Sequence, residues 1–79
     1  MNENRMYLRL SCHPANIGVA RTAVATFAAS LDFTLPDVEE IKVAVSEAVS
    51  NAVLHAYPGS QGDVTIQASD DEGQLVVEV

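Results

Sequence analysis

Thr34-Leu35-Pro36-Asp37-Val38-Glu39-Glu40-Ile41-Lys42-Val43-Ala44-Val45-Ser46-Glu47-Ala48-Val49-Ser50-Asn51-Ala52-Val53-Leu54-His55-Ala56 reads as one helix with a marked start. A threonine stands three residues before an acid, with proline inside the first turn, the pattern of a capping box. The helix is expected from about Leu35 to Ala56, where Tyr57-Pro58-Gly59-Ser60-Gln61-Gly62 breaks it. On a helical wheel Val38, Ile41, Val45, Val49, Ala52 and Ala56 share one side, which should face a sheet. Glu40, Glu47, Asn51 and His55 form a polar stripe on another side. Val43 and Leu54 flank that stripe on the edge away from the sheet, where a fully solvated face would not carry them. The helix is therefore expected to be covered on more than one side, with the polar strip as the wall of a ligand pocket.

Upstream, Met6-Tyr7-Leu8-Arg9-Leu10-Ser11-Cys12 alternates, with Met6, Leu8, Leu10 and Cys12 inward, as a strand does. His13-Pro14 ends it and opens a helix of about 17 residues whose apolar stripe is Ile17, Ala20, Val24, Phe27, Ala28 and Leu31. Asp32-Phe33 connects the two helices. Downstream, Val64, Ile66 and Ala68 alternate with Thr65, Gln67 and Ser69 as a second strand. Asp70-Asp71-Glu72-Gly73 is expected as a turn, and Gln74 to Val79 as a third strand. The order strand-helix-helix-strand-strand implies an α+β two-layer sandwich, two helices on one face of a sheet. The last strand ends in mid-run at Val77-Glu78-Val79, so a fragment of a longer domain is expected.

The 79 residues suffice for one small domain, which buries only about 60% of its unfolded surface. Eleven acidic and four basic side chains give a net charge of −7 with no basic cluster, which disfavours direct nucleic-acid binding. The single cysteine, Cys12, fits a reducing compartment and reads as a small core residue. The N-terminus lacks the apolar run of a signal peptide, and no apolar stretch has membrane-spanning length. A cytoplasmic protein without membrane contact is the expectation.

Glu47 and Asn51 lie four apart and are neighbours on one helix face. A carboxylate can accept a hydroxyl proton, and an amide oxygen can hold Mg²⁺, which takes few protein ligands and keeps phosphate oxygens and waters. Such a pair suits metal-assisted phosphoryl transfer, but on spacing alone the signal is weak and a solvated helix face is the favoured reading. His55 extends the stripe by a turn and either touches a ligand or serves as a structural residue near the helix C-terminus. His13 and His55 have no metal-site spacing. The first helix offers Gly18, Val19, Thr22, Ala25, Thr26, Ala29 and Ser30 outward, with Arg21 the one charge between Pro14 and Leu31. That face is either an inert surface or a protein interface, with Arg21 at its edge able to pair with a partner's carboxylate.

The run from Glu40 to Tyr57, with Ser46-Glu47-Ala48-Val49, Asn51-Ala52 and His55 at its centre, resembles the N-box helix of the anti-sigma serine kinases. These are histidine-kinase-like ATPases of the Bergerat fold. Ala20-Arg21, Val24-Ala25, Phe27, Ala29, Leu31-Asp32 and Thr34 extend the resemblance over nearly the whole chain. The anti-sigma-F type of endospore formers is the most similar and the sigma-B type next. The resemblance implies an anti-sigma factor that inhibits a sporulation-type sigma factor and phosphorylates an anti-anti-sigma protein on serine with MgATP, as a homodimer. Asn51 would coordinate the Mg²⁺ of ATP, His55 would line the nucleotide site, Glu47 would be the general base, and Arg21 would contact the partner. The family's Asp-x-Gly-x-Gly box and glycine-rich lid are not among these residues. Residues 1–79 therefore read as a single partial domain, the N-terminal half of the ATPase fold, and half a nucleotide site. Alone they are expected to bind ATP poorly or not at all, and isothermal titration showing micromolar MgATP affinity would overturn that. Three alternatives stand beside this reading: a sigma-B-type stress kinase, a module that sequesters sigma without chemistry, and the ATPase domain of a sensor histidine kinase. A first strand so near Met1 argues against the last.

Overall fold

Two alternating apolar runs and two amphipathic helices leave few ways to bury their faces together, and the computed structural model, which describes residues 4–55, 62–71 and 74–78, shows the one adopted. The elements are β1 (Arg5–Ser11), α1 (Ala15–Ala29), α2 (Leu35–Leu54), β2 (Asp63–Asp71) and β3 (Gln74–Glu78). The strands form one antiparallel sheet in the order β1-β2-β3. In the β1–β2 register Met6 faces Ala68, Leu8 faces Ile66 and Leu10 faces Val64. A one-residue slip would turn this whole set to the opposite face, so the buried side dictates the register. The ladder is extended at both ends: the Cys12 N–H donates to the Gly62 carbonyl and the Asp70 N–H to the Asn4 carbonyl, each at 2.9 Å.

The core sits over β2. Ala20 and Val24 from α1, Val45 and Val49 from α2, and Val64 and Ile66 from β2 form one buried cluster. Val24, Val49 and Ile66 are its largest fully buried side chains. Met6, Leu8, Leu10, Cys12, Ile17 and Ile41 pack against it half-buried.

The expected start of α2 is present. The Asp37 N–H donates to Thr34 Oγ1 and the Thr34 N–H donates to Asp37 Oδ2, both at 3.3 Å, completing the capping box. Two of the helix's otherwise unpartnered amides are thereby satisfied, and the Asp37 charge favours the positive end of the helix. Thr34→Ala is expected to lower stability by about 1 kcal/mol, read as a reduced urea midpoint with unchanged slope.

Several boundaries differ from the sequence-based expectation. The first helix has 15 residues, beginning after Pro14. Its first turn is tied by the Ala15 N–H donating to His13 Nδ1 at 3.0 Å and by Asn16 Nδ2 donating to the Ser11 carbonyl at 2.9 Å. Neither bond leaves a periodic trace in sequence. The second helix stops at Leu54 with His55 as its cap, and Ala56 lies outside the described residues. Asp70 and Asp71 do not belong to a turn. They continue β2 and pair with Leu75 and Gln74. Turn propensity predicts a break at two aspartates, but pairing with β3, together with the Asp70 N–H bond to the Asn4 carbonyl, overrides it. The expected Glu72-Gly73 turn lies outside the described residues, as does the Tyr57–Gln61 breaker.

Candidate functional site

The face of α2 opposite the core carries Glu40, Glu47, Asn51 and His55, all exposed. They sit there because Val38, Val45 and Val49 are committed to the core, and the 3.6-residue repeat then turns the polar set outward. Glu47 and Asn51 stand one turn apart on that face. His55 closes the helix instead of continuing it, its N–H donating to the Asn51 and Val53 carbonyls. Its exposed position at the end of the stripe serves either role read from the sequence. The expected cover over Val43 and Leu54 is not supplied by the described residues, since Val43 is 58% and Leu54 76% exposed.

One concave surface among the described residues lies beside the stripe rather than along it. Arg21 of α1 and Glu39, Lys42, Val43, Ser46 and Glu47 of α2 line an open groove of about 510 Å³. Asn51 and His55 are outside that lining. Sequence reading assigned Arg21 and Glu47 to separate surfaces, and the packing of α1 on α2 brings them to one. Residues 26 positions apart carry no sequence signal of such proximity. Lys42 Nζ lies 3.4 Å from Glu39 Oε1 on the rim, an i,i+3 pair worth little in stability. The Ser46 Oγ is buried and has no hydrogen-bond partner among the described residues. The helical repeat alone does not mark this hydroxyl as buried, because burial is set by packing.

The outward face of α1 is less polar than its composition implies. Thr26 Oγ1 donates to the Thr22 carbonyl at 2.8 Å and Ser30 Oγ to the Phe27 carbonyl at 2.6 Å, so these hydroxyls bond to their own helix. A shallow concavity of about 620 Å³ is lined there by Ala15, Gly18, Val19, Arg21, Thr22 and Ala23. Arg21 therefore borders both concavities.

The donor set limits the metal chemistry. Among the described residues no group of three or more His, Cys, Asp or Glu is placed to hold a metal ion. An exposed amide beside an exposed carboxylate suits an ion that brings its own phosphate and water ligands, as Mg²⁺ does. No helix among the described residues is long and apolar enough to cross a membrane.

Residues 10–79 match the histidine kinase-like ATPase domain family. The chain belongs to that family. Its α+β sheet with two helices on one face is consistent with the match. Among curated relatives within this grouping, the chain is similar to a protein named anti-sigma F factor from Clostridium acetobutylicum, 44% identical over 79 residues, covering 100% of this chain and 55% of that protein. A protein of the same name from Caldanaerobacter subterraneus is 43% identical over 76 residues, 96% of this chain and 53% of that protein. A third, from Clostridium botulinum, is 38% identical over 80 residues, covering 100% of this chain and 56% of that protein. The chain thus spans about half the length of the curated relatives it matches.

Proposed function

We propose that these residues form the N-terminal half of the ATPase domain of an anti-sigma factor that is also a protein-serine kinase. The observation that carries the reading is the pairing of Glu47 and Asn51 on the exposed face of α2, in a chain alignable from end to end with proteins named anti-sigma F factor. MgATP, when bound, supplies the phosphoryl group and most of the charge neutralisation. Asn51 would give its amide oxygen to the metal, and His55 would border the nucleotide at the end of the same stripe. Glu47 would accept the proton of a serine hydroxyl on an anti-anti-sigma protein as that oxygen bonds to the γ-phosphorus and the bond to the β-phosphate oxygen breaks. Phosphoryl transfer relies on positioning and charge stabilisation more than on covalent chemistry by the protein, so one base and one metal ligand on a rigid helix are a reasonable contribution from this half. Arg21 would pair with a carboxylate of the sigma factor from the edge of the α1 face, with a homodimer and a cytoplasmic setting as the assembly and location.

Sequestration without chemistry is the second reading, favoured by the weakly polar outward face of α1. The two separate in one experiment. The full-length protein is incubated with MgATP and a candidate anti-anti-sigma protein, and separately titrated with the sigma factor. Phosphoserine on the first and saturable binding of the second are expected. Binding with no transfer would leave only the sequestering role.

A further inference from the structure

We propose that the substrate segment carrying the acceptor serine docks in the groove between α1 and α2, with an apolar side chain two residues from that serine seated on Val43. This rests on Glu47 being the base and Asn51 the metal ligand, as proposed above. Val43, Glu47 and Asn51 follow one another at four-residue spacing, all exposed on α2. Each step is about 6 Å along the helix axis, so Glu47 stands between the other two. In phosphoryl transfer the attacking and leaving oxygens lie roughly in line. With the metal and nucleotide at Asn51, the hydroxyl served by Glu47 comes from the opposite side, the side of Val43. The groove is on that side: Val43 and Glu47 line it and Asn51 does not.

The lining says what the segment should carry. Among the described lining residues the charges balance, Arg21 and Lys42 against Glu39 and Glu47, in a chain of net charge −7. Lys42 and Glu39 are already 3.4 Å apart. A strongly charged segment of either sign gains little from such a wall. Val43 is the one apolar side chain in that lining, and it is 58% exposed. A single exposed valine is ordinary on a protein surface, but this one stands in a concavity one turn from the base. An extended segment repeats its facing side chains every second residue, roughly 7 Å apart. That spacing is close to the step from Glu47 to Val43. A serine held at Glu47 therefore brings the residue two before or two after it to Val43.

The test uses the full-length protein, MgATP and an anti-anti-sigma protein that it phosphorylates. Val43→Ala should lower kcat/KM for that protein about tenfold, through KM, the scale of a valine contact cut back to alanine. KM for MgATP should stay at the parent value, because the metal end of the stripe is untouched. Val43→Ile keeps the apolar contact and should stay within about threefold of the parent. In the substrate, alanine in place of the apolar residue two before or two after the serine should cost a similar factor. Combined with Val43→Ala it should cost little more, as for two side chains in contact. An unchanged KM for the protein substrate in Val43→Ala overturns the docking, and so do fully multiplicative losses in the combined variants. A large fall in the Tm of Val43→Ala overturns it too, since the protein itself would then cover the valine. The underlying reading fails separately: a parental single-turnover rate in Glu47→Ala removes the base, and with it the docking derived from it, whatever Val43 shows.

Discussion

Glu47→Ala in the full-length protein is expected to slow serine phosphorylation by about 10²–10⁴-fold, the usual range for a lost general base. The side chain is exposed on α2 and takes no part in the core, so the fold should be unaffected and thermal melts should agree within about 0.5 kcal/mol of the parent. Single-turnover transfer from labelled ATP reads the chemical step without product release. Glu47→Gln adds a sharper comparison, because it preserves size and hydrogen bonding but removes the proton acceptor. It should be as slow as alanine if the residue acts as a base, and near the parent if it only orients the hydroxyl. Equal rates for parent and Glu47→Ala would exclude the residue from the chemistry. Since Glu47 shares its groove with Arg21, affinity for the sigma factor should be measured on the same variants, so that a docking defect is not read as a catalytic one.

Ile66→Ala is expected to destabilise the fold by about 2–5 kcal/mol, from lost transfer free energy and the cavity left behind. Ile66 is fully buried at the centre of the cluster, beneath both helices and opposite Leu8 across the ladder, with few ways for the surroundings to collapse. Native domains are stable by only about 5–15 kcal/mol, so the loss would be a large share of the whole. Urea denaturation should show a much lower midpoint, or no folded baseline. Val43→Ala and Leu54→Ala serve as controls of the same chemistry in exposed positions and should shift stability by less than about 0.5 kcal/mol. A large loss at Val43 or Leu54 would mean that another part of the full-length protein covers that ridge of α2.

The elements were legible because their signals are local. The Thr34–Asp37 cap, the valine repeat of α2 and the alternation of Met6, Leu8 and Leu10 each reflect one segment's need to bury one face, and the structure places them as expected. Strand ends were less legible. Asp70 and Asp71 carry turn chemistry in their side chains, while their place in β2 depends on partners elsewhere in the chain. The candidate site's geometry was legible in part. The outward facing of Glu47 and Asn51 follows from the helical repeat once the core side of α2 is known, whereas the roles proposed for them rest on resemblance to the family.

The amino-acid order alone therefore determined the α+β class, the order of elements, the inward and outward faces of both helices, and the one-turn spacing of Glu47 and Asn51, because periodicity and capping act within a few residues. Only the tertiary structure decided that α1 packs on α2 closely enough to put Arg21 and Glu47 on one groove, and that the Ser46 hydroxyl is buried. Both depend on how separate parts of the chain pack together. No single segment's pattern encodes either.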